Sequence, residues 1–161
     1  MSKAVARKSR GGETSQAALV PYATTHMVRD CCLCLHVQRA ARALGRRFDE
    51  AFRPLELTNQ QFSLLMSLNR PAPPGMAAVA SVLAMDRTTL TAALKPLERR
   101  GLVAVTVDPD DKRGRLIVLL PAGQKLLARA VPIWQGTHAD IEARLTDGGA
   151  ELLRGNLRAL A

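Results

Sequence analysis

The sequence predicts a mainly α-helical fold carrying one small β-hairpin, and three observations predict it. Aromatic residues are only 3% of a chain that is 47% hydrophobic, so the core is built from Leu, Val and Ala, which suit packed helices better than an all-β sandwich. From about residue 28 onward, apolar residues recur at steps of three and four over most of the chain. Two short alternating apolar runs interrupt that pattern, and they flank a single charged turn.

The elements follow in order. Residues 1–25 are polar and basic (Lys3, Arg7, Lys8, Arg10) without periodic apolar positions, and read as a flexible arm; a frayed terminus and a DNA-tracking arm are both open. A long helix is expected from Val28 to Phe52, with Leu33, Val37, Ala40, Leu44, Phe48 and Ala51 as its apolar stripe. Arg39, Arg42, Arg46 and Arg53 cluster opposite that stripe, and Pro54 ends the helix. Thr58 and Gln61 have the spacing of a capping box and open a second helix that buries Phe62, Leu65 and Met66. The run Asn69 to Gly75 holds prolines 71, 73 and 74 and must be a turn. A short helix, Met76 to Ala84, follows, with Val79, Val82 and Leu83 turned inward.

The next segment carries the most chemistry. Asp86 is a good N-cap, and Gly101 suits the position just past the last turn of the helix between them. Pro96 lies inside this helix and should bend or loosen it. Two short helices joined by Ala84-Met85-Asp86 make a helix-turn-helix. Val103, Val105 and Val107 then alternate, as do Leu116, Val118 and Leu120, on either side of Asp108-Pro109-Asp110-Asp111-Lys112-Arg113-Gly114. That is a hairpin with a charged tip. A helix from Pro121 carries the seam Leu127, Val131, Trp134, His138, Ile141 and Leu145, with a kink expected at Pro132. After Gly148-Gly149 a last helix holds Leu153, Leu157 and Leu160.

The chain has 23 basic and 14 acidic residues, a net charge of +9, which favours polyanionic partners. On a wheel of roughly 100° per residue, Leu90, Leu94 and Leu97 fall in one arc of the helix after Asp86. Thr88, Ala92, Lys95 and Arg99 lie opposite, flanked by Thr89 and Thr91. Short side chains at the start of such a helix let the backbone approach bases, and a threonine can read a base edge or a thymine methyl. Arg87 and the helix N-terminus suit phosphate. The other reading of this face is an ordinary solvated surface. A hairpin directly after a helix-turn-helix favours DNA, because its Lys112 and Arg113, with Asp110 and Asp111 beside them to orient them, suit a narrow minor groove.

The segments MDRTTLTAALKPLERRGLV (85–103) and DPDDKRGRLIVLLPAG (108–123) resemble the MarR family of bacterial transcriptional regulators, and the resemblance extends over roughly Val28 to Leu160. It implies a single MarR-like domain over 26–161, a winged helix-turn-helix plus a helical dimerisation platform, with 55–120 as the winged part and 26–54 and 121–161 as the platform. It further implies a homodimer on double-stranded DNA with a pseudo-palindromic operator, usually as a repressor. Pro121 replaces a frequent capping threonine of the family, and Ala92 and Ala93 replace residues often polar or basic there. The seam Leu127 to Leu145 fits either dimerisation or packing within the chain.

The resemblance also implies an effector, small and often aromatic or anionic, for which His36, Phe48, Phe62, Met66 and Trp134 are candidate pocket residues. Each is equally a core residue by type. Cys31, Cys32 and Cys34 are the only cysteines, and Cys31 and Cys34 have the C-x-x-C spacing of a candidate redox sensor near a helix start. Simple packing accounts for them as well, and on one straight helix the three thiols cannot converge on a metal. Catalysis is not expected: there is no P-loop, no G-x-G-x-x-G after a strand and no G-x-S-x-G. Histidines 26, 36 and 138 lack metal-ligand spacing, so neither metal nor cofactor is expected. No membrane span or signal peptide is read, which places the expected site of action in the cytoplasm. A winged-helix adaptor that binds protein or nucleic acid without operator specificity is the alternative.

Overall fold

The computed structural model describes residues 19–160, in the order α1 (Tyr22–Cys31), α2 (Leu33–Phe52), a short 3-10 turn (Arg53–Leu55), α3 (Asn59–Ser67), α4 (Met76–Val82), α5 (Arg87–Arg99), β1 (Val103–Val107), β2 (Arg115–Leu119), α6 (Pro121–Glu142) and α7 (Gly149–Arg158). The expected arm lies largely outside the described residues, but its last residues, from Tyr22, are already helical. The chain falls into two units that divide after Gln38.

In the first unit the expected continuous helix is interrupted. Cys32 takes an extended backbone (ψ 106) at the end of α1. Its N–H donates to the Val28 carbonyl, and its own carbonyl accepts from the His36 N–H. Its Sγ accepts from the Leu35 N–H at 3.4 Å. Cys32 therefore closes one helix and caps the next, which the apolar stripe could not reveal, because its residues, from Leu33 to Ala51, all follow the break. Leu33 and Val37 of that stripe are exposed.

The second unit holds the core. Phe48 and Phe52 at the end of α2 enter it, joined by Leu55, Leu57, Phe62, Leu64, Leu65, Val79, Leu90, Leu94, Leu97 and, from β2 and α6, Ile117, Leu126, Leu127 and Ala130. The capping box at Thr58 forms as the spacing predicts: the Gln61 N–H donates to Thr58 Oγ1 and the Thr58 N–H to Gln61 Oε1, each at 3.2 Å. Val79 is fully buried, whereas Val82, expected to face inward, is 61% exposed. The helix ends there: Leu83 is its C-cap and Ala84 has a left-handed φ of 50°, so Val82 sits where the chain turns away from the core.

Strands β1 and β2 are antiparallel, with Val103 opposite Leu119, Val105 opposite Ile117 and Val107 opposite Arg115. Ile117 is the fully buried residue of β2, so the inward face is one residue out of phase with the expected set Leu116, Val118 and Leu120. With apolar residues at every position from 116 to 120, alternation could not assign the face; pairing with Val103 and Val105 does. The Ile117 N–H also donates to the Pro74 carbonyl at 2.9 Å. The proline-rich turn is thus tied to the open edge of the hairpin. α6 starts at Pro121 and runs without interruption through Pro132. Its first turn rests on the start of β1: a Cβ on Gly123 would lie 2.3 Å from the Leu102 carbonyl oxygen. Within α6, Val131, Trp134 and Ile141 of the expected seam pack on the core of this unit, while Leu145 falls beyond the helix, which ends at Glu142, and stays 39% exposed.

Candidate nucleic-acid interface

Helix α5 is positioned from both ends. At its start Asp86 Oδ1 accepts the Thr89 N–H at 2.8 Å, and Asp86 Oδ2 accepts the Thr89 hydroxyl at 2.6 Å. The Thr89 hydroxyl beside it, and then the backbone N–H groups it faces, hold the Asp86 carboxyl below its ordinary value. At its end Gly101 adopts φ 65°, as a residue just past the last turn does. Arg100 pins that end to the segment before α3, donating to the Glu56 carbonyl at 2.7 Å and the Leu55 carbonyl at 3.4 Å. Leu90, Leu94 and Leu97 are buried and present the opposite face outward. The chain turns by 100° between α4 and α5, within the usual range of a helix-turn-helix.

Arg87, Thr88, Thr89, Thr91, Ala92, Lys95 and Arg99 are all exposed, as expected of that face. Their hydroxyls differ in availability. Thr89 is committed as a donor to Asp86, and the Thr91 hydroxyl donates to the Arg87 carbonyl at 2.7 Å. The Thr88 hydroxyl makes no hydrogen bond among the described residues and is the one left with its donor free. Pro96 does not break α5; it stands beside Thr58, Gln60, Gln61 and Leu64 at the start of α3, with Ala93, around a hollow of about 210 Å³. The turns that carry Thr88 to Ala92 precede it.

The hairpin tip is built by backbone contacts. Asp108 Oδ1 accepts the Asp110 N–H, and Asp111 Oδ1 accepts the Arg113 N–H, each at 2.9 Å. The expectation that Asp110 and Asp111 orient the Lys112 and Arg113 side chains is corrected here. The carboxylates instead shape the main chain, and Asp108 takes the place of Asp110. Aspartates bond locally in this way because their short side chains reach the backbone two residues on. Arg115 is a contributor that the residue pattern does not single out. Its Nη1 donates to the Gly114 carbonyl at 2.8 Å and the Lys112 carbonyl at 3.2 Å, fastening the tip. The only signal in the sequence is a cation at the first residue past the turn.

Helix and hairpin share a cationic margin. Arg87, Arg113 and Arg115 line one cleft of about 490 Å³ together with Asp108 and the start of α4. Arg87, Thr91, Lys95 and Arg115 line a second of about 280 Å³, with Glu98. Lys112, Arg99, Thr88, Thr89 and Ala92 line neither.

Of the candidate pocket residues, Phe62, Met66 and Trp134 line a hollow of about 450 Å³ with Ser63, Ser67, Val82, Leu83 and Val131. Phe48 does not line it; it is buried behind, stacked on Phe52 at 6.0 Å, which stacks on Phe62 at 4.8 Å. His36 belongs to the first unit, where its Nε2 lies 3.2 Å from the Asp30 carbonyl. Cys31 and Cys34 are exposed and are not joined by a disulfide, and the Gln38 amide approaches the Cys34 sulfur at 3.2 Å. The described residues contain no cluster of His, Cys, Asp and Glu able to hold a metal ion. No single helix among them is long and apolar enough to cross a membrane.

Comparison with known proteins converges on one group. The model of the MarR family matches residues 57–114, which spans α3 to the hairpin tip. The transcriptional regulator HosA of Escherichia coli O111:H- is 35% identical over 99 residues, 60% of this chain and 72% of HosA. Among solved structures, the Mycobacterium tuberculosis transcriptional regulator MosR in complex with DNA superposes with a TM-score of 0.73 at 37% identity, over 80% of this chain and 92% of that one. BpsR of Bordetella bronchiseptica, whose DNA binding is regulated by 6-hydroxynicotinic acid, superposes with a TM-score of 0.72 at 25% identity, over 80% and 91%.

Proposed function

The chain belongs to the MarR family of transcriptional regulators, and from that premise we propose that it binds an operator as a homodimer and represses until a small effector releases it. The observation that carries the reading is the joint exposure of the α5 face and the hairpin tip, with Arg87, Arg113 and Arg115 around one cleft between them. Thr88, with its neighbours Thr89, Thr91 and Ala92, enters the major groove, where a free hydroxyl reads a base edge or a thymine methyl. Arg87, Lys95 and Arg99 neutralise phosphates, and the tip carries Lys112 and Arg113 into the adjacent minor groove.

Residues 26–54 and 121–161 form the dimerisation platform in this reading. Exposed apolar side chains in both parts support it: Leu33 and Val37 in α2, and Leu152, Leu153 and Leu157 in α7. Two copies of α5 related by a two-fold axis meet half-sites about one DNA turn apart, and a repressor so placed obstructs transcription from that stretch. Effector control is supported by the hollow beside the end of α4, and the regulation of BpsR by a small aromatic acid is a precedent in a similar structure. Exposure of Cys31 and Cys34 supports a second trigger, oxidation of a thiol. Cys32 is committed to capping α2.

Footprinting on DNA upstream of the chain's own gene tests the central reading. A protected site with two-fold symmetry is expected; uniform binding to any duplex would favour an adaptor without operator specificity. Mild peroxide applied to the wild type and to Cys34→Ala separates the triggers, since equal responses would remove Cys34 from the account.

A further inference from the structure

We infer that the cleft between the segment before α3, the end of α5 and the first turns of α6 is a separate ligand site, one that takes the phosphate groups of a small soluble molecule. The site is independent of the effector reading above. It shares no lining residue with the hollow beside Trp134, nor with the two clefts beside the α5 face and the hairpin.

Charge is what distinguishes this cleft. Arg100, Lys125 and Arg129 line a space of about 500 Å³, with Glu56 as the one acidic residue, and that volume lies within the range of small-molecule sites. Lys125 and Arg129 are exposed and stand four residues apart, which makes them neighbours on one face of α6. Neither makes a hydrogen bond or ion pair among the described residues, and the Glu56 carboxylate is not used to offset them. Two like charges so spaced weaken a helix slightly, a cost that a bound anion removes. Arg100 is held ready beside them: its Nη1 donates to the Glu56 carbonyl at 2.7 Å and its Nη2 to the Leu55 carbonyl at 3.4 Å. Carbonyl oxygens fix the guanidinium without cancelling its charge, and its other N–H groups stay available. Three uncancelled cations, one of them already oriented, form a seat for an anion of more than one charge.

The rest of the lining narrows the ligand. Leu55, Leu102 and Leu126 are buried, so they offer no apolar pocket for the anchoring side chain of a peptide. No aromatic residue lines the cleft to stack on a base. What remains is recognition of charge, and phosphate oxygens match both an arginine fork and a lysine ammonium. The operator backbone is not the source of that phosphate. Arg100 caps the far end of the 13-residue α5, about 20 Å from Arg87 by helical rise. Leu102 precedes β1, whose five residues separate it from the hairpin tip by about 17 Å. A ligand in the cleft therefore binds beside an occupied operator site. It bridges the end of α5 and α6, and by binding only the folded arrangement it stabilises the second unit.

The full-length protein is titrated with pyrophosphate by calorimetry at constant ionic strength, alone and with the footprinted operator bound. The expected result is saturable binding of one pyrophosphate per protomer, with and without DNA. The double variant Lys125→Gln, Arg129→Gln should weaken it at least about tenfold and leave operator affinity and its salt dependence unchanged. Glu56→Gln, which removes the single carboxylate of the lining, should tighten it several-fold. Arg87→Gln, on the α5 face, should leave pyrophosphate binding as it is. No saturable binding by the wild type, or equal binding by the wild type and the double variant, overturns the site. Displacement of pyrophosphate by the operator, or a double variant whose operator affinity falls with a flatter salt dependence, assigns these cations to the DNA backbone and overturns the soluble ligand.

Discussion

Asp86 shows how one residue serves both fold and site. Its carboxylate caps α5 and occupies the Thr89 hydroxyl, which leaves Thr88 as the threonine with a free donor. Thr88→Ala should therefore relax base preference at one position per half-site more than Thr89→Ala does, measured by binding to operators varied one base at a time. Arg113→Ala should weaken binding most on operators whose flanking minor groove is narrow, and should flatten the dependence of log affinity on log salt. If both variants kept wild-type affinity and salt dependence, the proposed docking would be wrong. The Asp86 carboxyl is also held below its ordinary value, chiefly by the Thr89 hydroxyl. A lowered folded value means that the cap's contribution is complete above the unfolded value and is lost as pH falls through the folded one. The melting difference between wild type and Asp86→Ala should consequently be full at neutral pH and shrink in the acid carboxylate range.

At the scale of elements, two prolines stand inside helices that they would be expected to disrupt, and neither helix is interrupted. α5 continues through Pro96 and α6 through Pro132. For Pro96 the missing backbone donor, nominally worth about 3 kcal/mol in an ideal helix interior, falls between Leu94 and Leu97, whose burial in the core holds the helix on either side of it. Gly123 is the complementary case, a residue that looks ordinary in the sequence and is sterically required. Because an added Cβ there would meet the Leu102 carbonyl oxygen at 2.3 Å, Gly123→Ala must push the first turn of α6 off β1. A loss of about 1–3 kcal/mol is expected in chemical denaturation, with a change in operator affinity only to the extent that the hairpin moves. Gly136→Ala, where an added Cβ meets nothing within 4 Å, is the control.

For the molecule as a whole, charge and apolar surface divide the labour. A net charge of +9 draws the chain to DNA at long range, and the exposed leucines of α7 suit a second copy. Leu153→Glu, at a position 45% exposed, should leave the second unit folded but convert a dimer to a monomer in analytical ultracentrifugation. The two-fold footprint should be lost with it. A dimer that survives both this change and Leu157→Glu would remove α7 from the platform. The ion pairs Arg154–Glu142 at 2.5 Å and Arg158–Glu151 at 3.0 Å tie α7 to α6 and to itself; being exposed, they contribute little to overall stability.

Much of this was legible in the residues because it is local. Caps at Thr58 and Asp86, the glycine after α5, the proline-rich turn and the hairpin each depend on a few adjacent side chains and their own backbone, and the exposed face of α5 follows from one helical wheel. What depended on contacts distant in sequence was decided only in the tertiary structure. The inward face of β2 was set by its pairing with β1, because five consecutive apolar residues carry no phase. The break at Cys32 is local, yet it precedes the whole apolar stripe, which begins at Leu33 and so carries no record of it. Arg115 fastens carbonyls of its own turn, at Lys112 and Gly114, whereas Gly123 gained its role from the Leu102 carbonyl oxygen, which it meets only once the chain has folded.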